Sequence, residues 1–261
     1  MPFAPVNGVE LYYESYGDGP ALVFAHGAGG NHLSWWQQLP VFASRFRCVT
    51  FDHRGFGFSR DVPDSPGPRA FGDDLRGLLD HLGIERANLV SQSMGGWTNA
   101  AFAVAHPERV RTLALCDTMA GIDDPEVIAE MRRHGAPRGG LADVLTRVYA
   151  PDYPDREPIK AFLYRQISAL NQHVPPNLVP EMMKLRNDVG PIVKHQIPTL
   201  ILVGDQDSLT TPKLMELMAL RIPHSRFIEV PGSGHSVYYE RPEAFNRALL
   251  EFLEENGADK A

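Results

Sequence analysis

Cysteine is scarce in this chain: Cys48 and Cys116 are the only two in 261 residues. Both sit inside runs rich in β-branched residues and leucine, where a buried, reduced thiol is the plain reading. With no C-x-x-C spacing, a cysteine-based zinc or redox centre is excluded. Positive charge is also short. Lys and Arg number 25 against 32 Asp and Glu, a formal net charge of −7. The most basic short run, Met131-Arg132-Arg133-His134, reads as a solvated helix face. Nucleic acid is therefore excluded as a partner. No apolar run approaches the ~20 residues that span a bilayer, which excludes the membrane as well. The opening residues, Met-Pro-Phe-Ala-Pro-Val-Asn-Gly, lack the charged and apolar regions of a secretory signal. A soluble, cytoplasmic protein is expected. Homo-oligomerisation is left open.

What the chain does have is a rhythm. "GVELYYESY" (8–16) alternates as an exposed antiparallel strand does. The runs at 21–27, 46–55, 87–93, 110–118, 198–207 and 225–235 are short, nearly continuous and apolar, and end in small polar loops. They read as strands buried on both faces, the sign of a parallel sheet. Between them lie helical segments. "FGDDLRGLLDHLG" (71–83) sets Leu75, Leu78, Leu79 and Leu82 on one stripe and stops at Gly83. The segments at 212–222 and 242–256 open with proline, which suits a first helical turn. The alternation predicts a doubly wound α/β fold.

From Met119 to Gln196 the rhythm breaks. No strand is predicted there, only candidate helices at 125–134, 140–149, 158–170 and 176–185. The expected organisation is a core in two parts, 1–118 and 197–261, with a helical cap at 119–196 above the carboxyl edge of the sheet, where ligands bind in such folds.

The chemistry is expected at that edge. "SQSMGG" (91–96) joins a strand directly to a helix, so its middle residue, Ser93, is forced into a strained turn with its side chain outward. Residues two places away must be small; Gly95 satisfies this, and Ser91 stands where glycine is usual. A serine in such a turn is ordinarily only a cap, so Ser93 gains weight from its company. "HGAGGNH" (26–32) follows a strand and offers backbone N–H groups for an oxyanion: Ala28 with Met94, and Gly29 as the fallback. "GSGHS" (232–236) places His235 in the last loop before the final helix, as a candidate base. For the acid, "GDQDSLTTP" offers Asp205 and Asp207, and Asp117 lies one strand earlier. Trp35, Trp36 and Trp97, with Met119, Met131, Met182 and Met183, are candidate walls of a largely apolar pocket.

With "FAHGAGGNH", "FDHRGFGFS", "LVSQSMGGW", "LILVGDQDSLTTP" and "VPGSGHSVYYERPEAFNRALLEFL", nearly the whole chain resembles the α/β-hydrolase superfamily, in its cap-bearing branch of esterases, lactonases, haloperoxidase-like enzymes and C–C bond hydrolases. The resemblance implies a mostly parallel sheet with a helical cap inserted after the sixth strand. It implies a Ser93–Asp207–His235 triad, because the second acid of G-D-x-D is the usual one, with Asp117 as the alternative. It implies a structural role for Asp52 to Ser59. Serine at the elbow excludes the dehalogenases and epoxide hydrolases, which carry aspartate there. The expected function is hydrolysis of a small ester or lactone through an acyl-enzyme, with no metal or organic cofactor. C–C bond hydrolysis, perhydrolysis of the haloperoxidase type, and a small-molecule receptor with little turnover are the alternatives.

Overall fold

The computed structural model describes residues 2–135 and 140–260. Among the described residues eight strands form one sheet: β1 (Phe3–Val6), β2 (Val9–Tyr16), β3 (Ala21–Ala25), β4 (Arg47–Phe51), β5 (Ala87–Gln92), β6 (Val110–Cys116), β7 (Thr199–Gly204) and β8 (Arg226–Val230). Their order is β1-β2-β4-β3-β5-β6-β7-β8. The first two pairings, β1 with β2 and β2 with β4, are antiparallel; all others are parallel.

Alternation along the central strands divides the core in two. Val23, Ala25, Leu89, Leu113, Leu115, Ile201 and Val203 face one side. Leu22, Phe24, Val90, Ala114, Leu200 and Leu202 face the other. Because successive strand residues point to opposite faces, both layers of helices are demanded by the unbroken apolar runs. The helices Phe71–His81, Met94–Ala105 and Pro212–Arg221 cover the first face. Pro242–Glu255 covers the second, with Trp35 and Phe42. The first of these helices ends as its sequence foretells. Gly83 takes φ +65°, and the Ile84 N–H returns to the Leu79 carbonyl while Gly83 N–H returns to Asp80. That is a Schellman closure, which needs a left-handed residue beyond the last turn.

Two strand readings change. β1 was not foreseen; it is a four-residue strand containing Pro5, joined to β2 by Asn7-Gly8 with both φ positive, 46° and 80°. An Asn-Gly pair favours that two-residue hairpin turn. β8 is not buried on both faces. It closes the sheet with β7 as its neighbour, and four of its five residues are partly or fully exposed.

Between β6 and β7 the described residues carry helices and no strand of the sheet. Pro125–Glu130 starts with Asp124, whose side chain accepts from the N–H groups of Glu126 and Val127, a standard N-cap. It continues as a wider turn over Met131–Gly135. Gly140–Thr146, Pro158–Ala169 and Leu178–Met182 follow, each shorter than its predicted span, and Tyr153–Arg156 and Gly190–Lys194 are additional. Residues 136–139 of the predicted cap lie outside the described residues. Asp124 also pairs with Arg221 at 2.7 Å, fastening the insertion to the core. Among the described residues, no helix is long and apolar enough to cross a membrane.

Candidate active site

Four loops at the carboxyl ends of parallel strands converge: 26–30 after β3, 92–94 after β5, 205–210 after β7 and 231–236 after β8. Ser93 joins β5 to the helix Met94–Ala105 with φ 50° and ψ −117°, a conformation that costs a non-glycine residue ~1–3 kcal/mol. The surroundings hold it there. Its N–H donates to the Cys116 carbonyl (3.0 Å), and its own carbonyl accepts from Gly96 N–H (2.9 Å). A Cβ on Gly95 would fall inside van der Waals contact of the Ala25 carbonyl oxygen, and one on Gly96 would meet Thr118 Oγ1. Ser91 is fully buried, and its hydroxyl donates to the Ala114 carbonyl at 2.9 Å. The side chain standing in for the usual glycine therefore turns into the sheet and leaves the cavity untouched.

A methyl group at position 95 has nowhere to go, because the obstacle is backbone. Gly95→Ala is expected to lower Tm by several degrees and to impair the site, as overpacking costs ~1–3 kcal/mol. An unchanged melt and unchanged activity would contradict this close approach.

Behind Ser93 runs a hydrogen-bonded chain. His235 Nε2 lies 2.8 Å from Ser93 Oγ, and His235 Nδ1 lies 2.8 Å from Asp207 Oδ2. With Nδ1–H donating to the carboxylate, Nε2 is free to accept from the serine hydroxyl. Asp207 is fixed in turn. Its Oδ1 accepts from Leu209 N–H (2.7 Å) and Thr210 N–H (2.9 Å), and its Oδ2 from the Thr210 hydroxyl (2.6 Å). The histidine's carbonyl accepts from Gln92 Nε2 at 2.6 Å. Asp205 instead accepts from the N–H groups of Gly232 and Ser233, bracing the histidine loop from outside.

Asp117, the alternative acid, is not brought to the histidine. Its two oxygens accept from Gly204 N–H (3.2 Å) and Val237 N–H (3.1 Å), so it ties β7 to the histidine loop from beneath. Burial, then the charge of nearby Asp207, pushes its carboxyl well above the usual carboxylate range.

The 26–30 loop lies over Ser93. A Cβ on Gly27 would strike the side-chain oxygen of Gln92 and come 3.1 Å from Ser93 Cβ. Ala28 is buried beside Ser93 and His235, and Met94 opens the elbow helix. Among the described residues, neither Ala28 N–H nor Met94 N–H has a backbone acceptor outside regular structure. Gly29 faces the helical insertion instead: a Cβ there would sit 2.8 Å from Leu145 Cδ2 and 2.9 Å from Tyr164 Oη. Two buried histidines support this loop. His26 Nδ1 meets the Gly27 carbonyl (2.8 Å) while its Nε2 accepts from His53 N–H (3.1 Å). Burial lowers His26 to about 4 and His53 well below the ordinary imidazole value, which keeps both neutral. Arg54 is buried and binds Asp74 through two 2.6 Å hydrogen bonds, away from Ser93.

Above Ser93 is a narrow cavity of about 40 Å³. Trp97, Leu209 and Thr210 form its core-side walls; Met119, Met131, Val144, Val179, Met182 and Met183 close it from the insertion. No Lys, Arg, Asp or Glu lines it among the described residues. Trp35 does not reach it, which corrects the sequence expectation. A short 3-10 turn, His32–Trp35, carries that indole onto the opposite face of the sheet, fully buried 5.0 Å from the Phe24 ring and 4.8 Å from Tyr238. Trp36 is partly exposed against Tyr239. Val144, Val179, Leu209 and Thr210 were not foreseen; the first two depend on how the insertion packs, and Thr210 was visible only as part of "DSLTTP". A wider groove, about 780 Å³ between residues 61–69 and 175–181, contains neither Ser93 nor His235.

A strained serine between a parallel strand and a helix, beneath the 26–30 loop and in line with a histidine and a carboxylate, defines a class. Residues 22–248 match the alpha/beta hydrolase family, and the chain belongs to it. It is 30% identical to a protein of Caulobacter sp. (strain K31) named provisionally as the carbamate hydrolase RutD, over 97% of this chain and 98% of that one. It is similar in structure to an esterase from Thermogutta terrifontis (30% identity, TM-score 0.81, 98% of each chain). The enol-lactonase from Burkholderia xenovorans LB400 is comparable (30% identity, TM-score 0.80, 97% of this chain and 100% of that one). The protein is an α/β-fold hydrolase whose substrate is a small molecule.

Proposed function

We propose that the protein hydrolyses a small, uncharged carboxylic ester or lactone through an acyl-enzyme on Ser93. The observation that carries this reading is His235 bridging Ser93 and Asp207 at 2.8 Å on each side. Residues 119–196 act as a cap over a core made of 1–118 and 197–261.

His235 Nε2 takes the Ser93 proton as Oγ attacks the carbonyl carbon. Negative charge collects on the carbonyl oxygen, where the N–H groups of Ala28 and Met94 receive it; each such donor is worth ~2.7–4 kcal/mol in the transition state. The protonated histidine, stabilised by Asp207, then gives its proton to the leaving alkoxide as the C–O bond breaks. Water loses a proton to the same nitrogen, attacks the acyl-enzyme and releases the acid, returning the proton to Ser93. Every proton and electron pair comes from substrate, water and these side chains.

The cavity supports the substrate class. Methionine, valine and leucine walls adapt to an apolar acyl chain, and among the described residues no Lys or Arg lines them to pair with a carboxylate on the substrate. Burying an unpaired charge costs several kcal/mol. Multiple turnovers of p-nitrophenyl acetate and butyrate are expected, with kcat/KM at least about 100-fold lower for a matched ester bearing a terminal carboxylate. A single stoichiometric release followed by silence would favour a receptor, and equal rates on the charged ester would overturn the apolar assignment.

A further inference from the structure

The seam between the cap and the loop of His235 is built mostly of tyrosine. Tyr149 and Tyr164 of the cap meet at 4.9 Å between ring centroids, and Tyr164 meets Tyr239 of the core edge-on at 5.1 Å. The backbones also touch: a Cβ on Gly234 would collide with Ala150 N and with Tyr149. Into this apolar seam the chain places a carboxylate. Glu240 is only 4% exposed. Its Oε1 accepts from Gly234 N–H (2.9 Å) and Ser236 N–H (3.3 Å), the residues on either side of His235. Its Oε2 accepts from Ala150 N–H (2.9 Å), in the cap.

A buried carboxylate is expensive unless its bonds are used, and here one group reaches both sides of the seam. We propose that Glu240 is a positioning residue: it couples the seating of the cap to the alignment of His235. The kinetic half of this proposal rests on His235 being the base; the coupling itself does not.

Burial pushes the Glu240 carboxyl up to about 7, against the pull of its N–H donors. The charged and titratable groups around it are Arg156, which opposes the rise, Tyr153 and Tyr164 from the cap, Asp117 at the end of β6, and His235 itself. An arriving proton goes to Oε2, which has one N–H donor, rather than to Oε1, which has two. The tie to Ala150 therefore loosens first. As pH falls through about 7 the cap loses its hold on the histidine loop while Oε1 still braces that loop.

Glu240→Gln puts an NH₂ where an acceptor is needed, so one N–H donor is left facing another. At pH 8 the variant is expected to lose about tenfold to a hundredfold in kcat/KM on p-nitrophenyl butyrate. Its acid limb is expected to lose the fall that Glu240 contributes to the wild type as pH drops through about 7. Wild-type kcat/KM with an unchanged limb would overturn the proposal. Amide exchange of the wild-type protein decides the coupling without activity or a folded variant. Ala150 protection, corrected for intrinsic exchange, should fall between pH 8 and pH 6 while Gly234 protection holds. A constant ratio of the two overturns the coupling, and an inactive protein with the expected exchange would remove only the ester-hydrolase reading.

Discussion

Ser93→Ala is expected to lower kcat on p-nitrophenyl butyrate about 10⁶-fold, the loss seen when a serine nucleophile acting within a triad is removed. The methyl group cannot attack, and His235 Nε2 loses the hydroxyl that lies 2.8 Å away. A residual rate ~10³–10⁴ above water should survive, because the Ala28 and Met94 N–H groups still face the carbonyl oxygen. The fold should survive too. Alanine meets the same penalty as serine at φ 50°, and the two backbone hydrogen bonds that hold the turn do not involve the side chain. Wild-type Tm with activity abolished is the expected pair of results. Turnover within tenfold of wild type would remove Ser93 from the chemistry.

Asp207→Asn is expected to lower kcat about 10⁴-fold, and the reason lies in which way the amide must face. The Leu209 and Thr210 N–H groups both point at Oδ1, so the amide oxygen is held on that side. Its NH₂ then points at His235 Nδ1 and forces that nitrogen to accept. The imidazole proton moves to Nε2, where it blocks removal of the Ser93 proton. Asp117→Asn is the control. It sacrifices one of two backbone hydrogen bonds and some stability, but leaves the tautomer of His235 alone, so the folded variant should keep most of its activity. Loss of activity in Asp117→Asn with Asp207→Asn unaffected would reverse the assignment of the acid.

Six of the strands and the strand-to-helix serine were legible as one local pattern, a short apolar run followed by small polar residues, and β2 was legible by its alternation. β1 escaped because four residues including proline carry little signal, although Asn7-Gly8 marked the turn. Around the cavity, legibility followed helix geometry. Trp97 lies one turn into the elbow helix and comes to the cavity, whereas Trp35 lies close to the 26–30 loop in sequence yet on the far face of the sheet. Nearness along the chain does not choose a face. Val144, Val179 and Glu240 depend on how the helical insertion docks, and no period or motif in one sequence encodes that docking.

The hydroxyl of Ser91, bonded to the Ala114 carbonyl, bears on how such chains are found. A search pattern that demands glycine two residues before the serine tests for the wrong property. The elbow needs a side chain short enough to turn back into the sheet, and serine meets that need while satisfying its own hydrogen bond. Patterns that allow any small residue at this place, and instead hold fixed the glycine that lies against the β3 carbonyl, would recover relatives that a strict glycine rule discards.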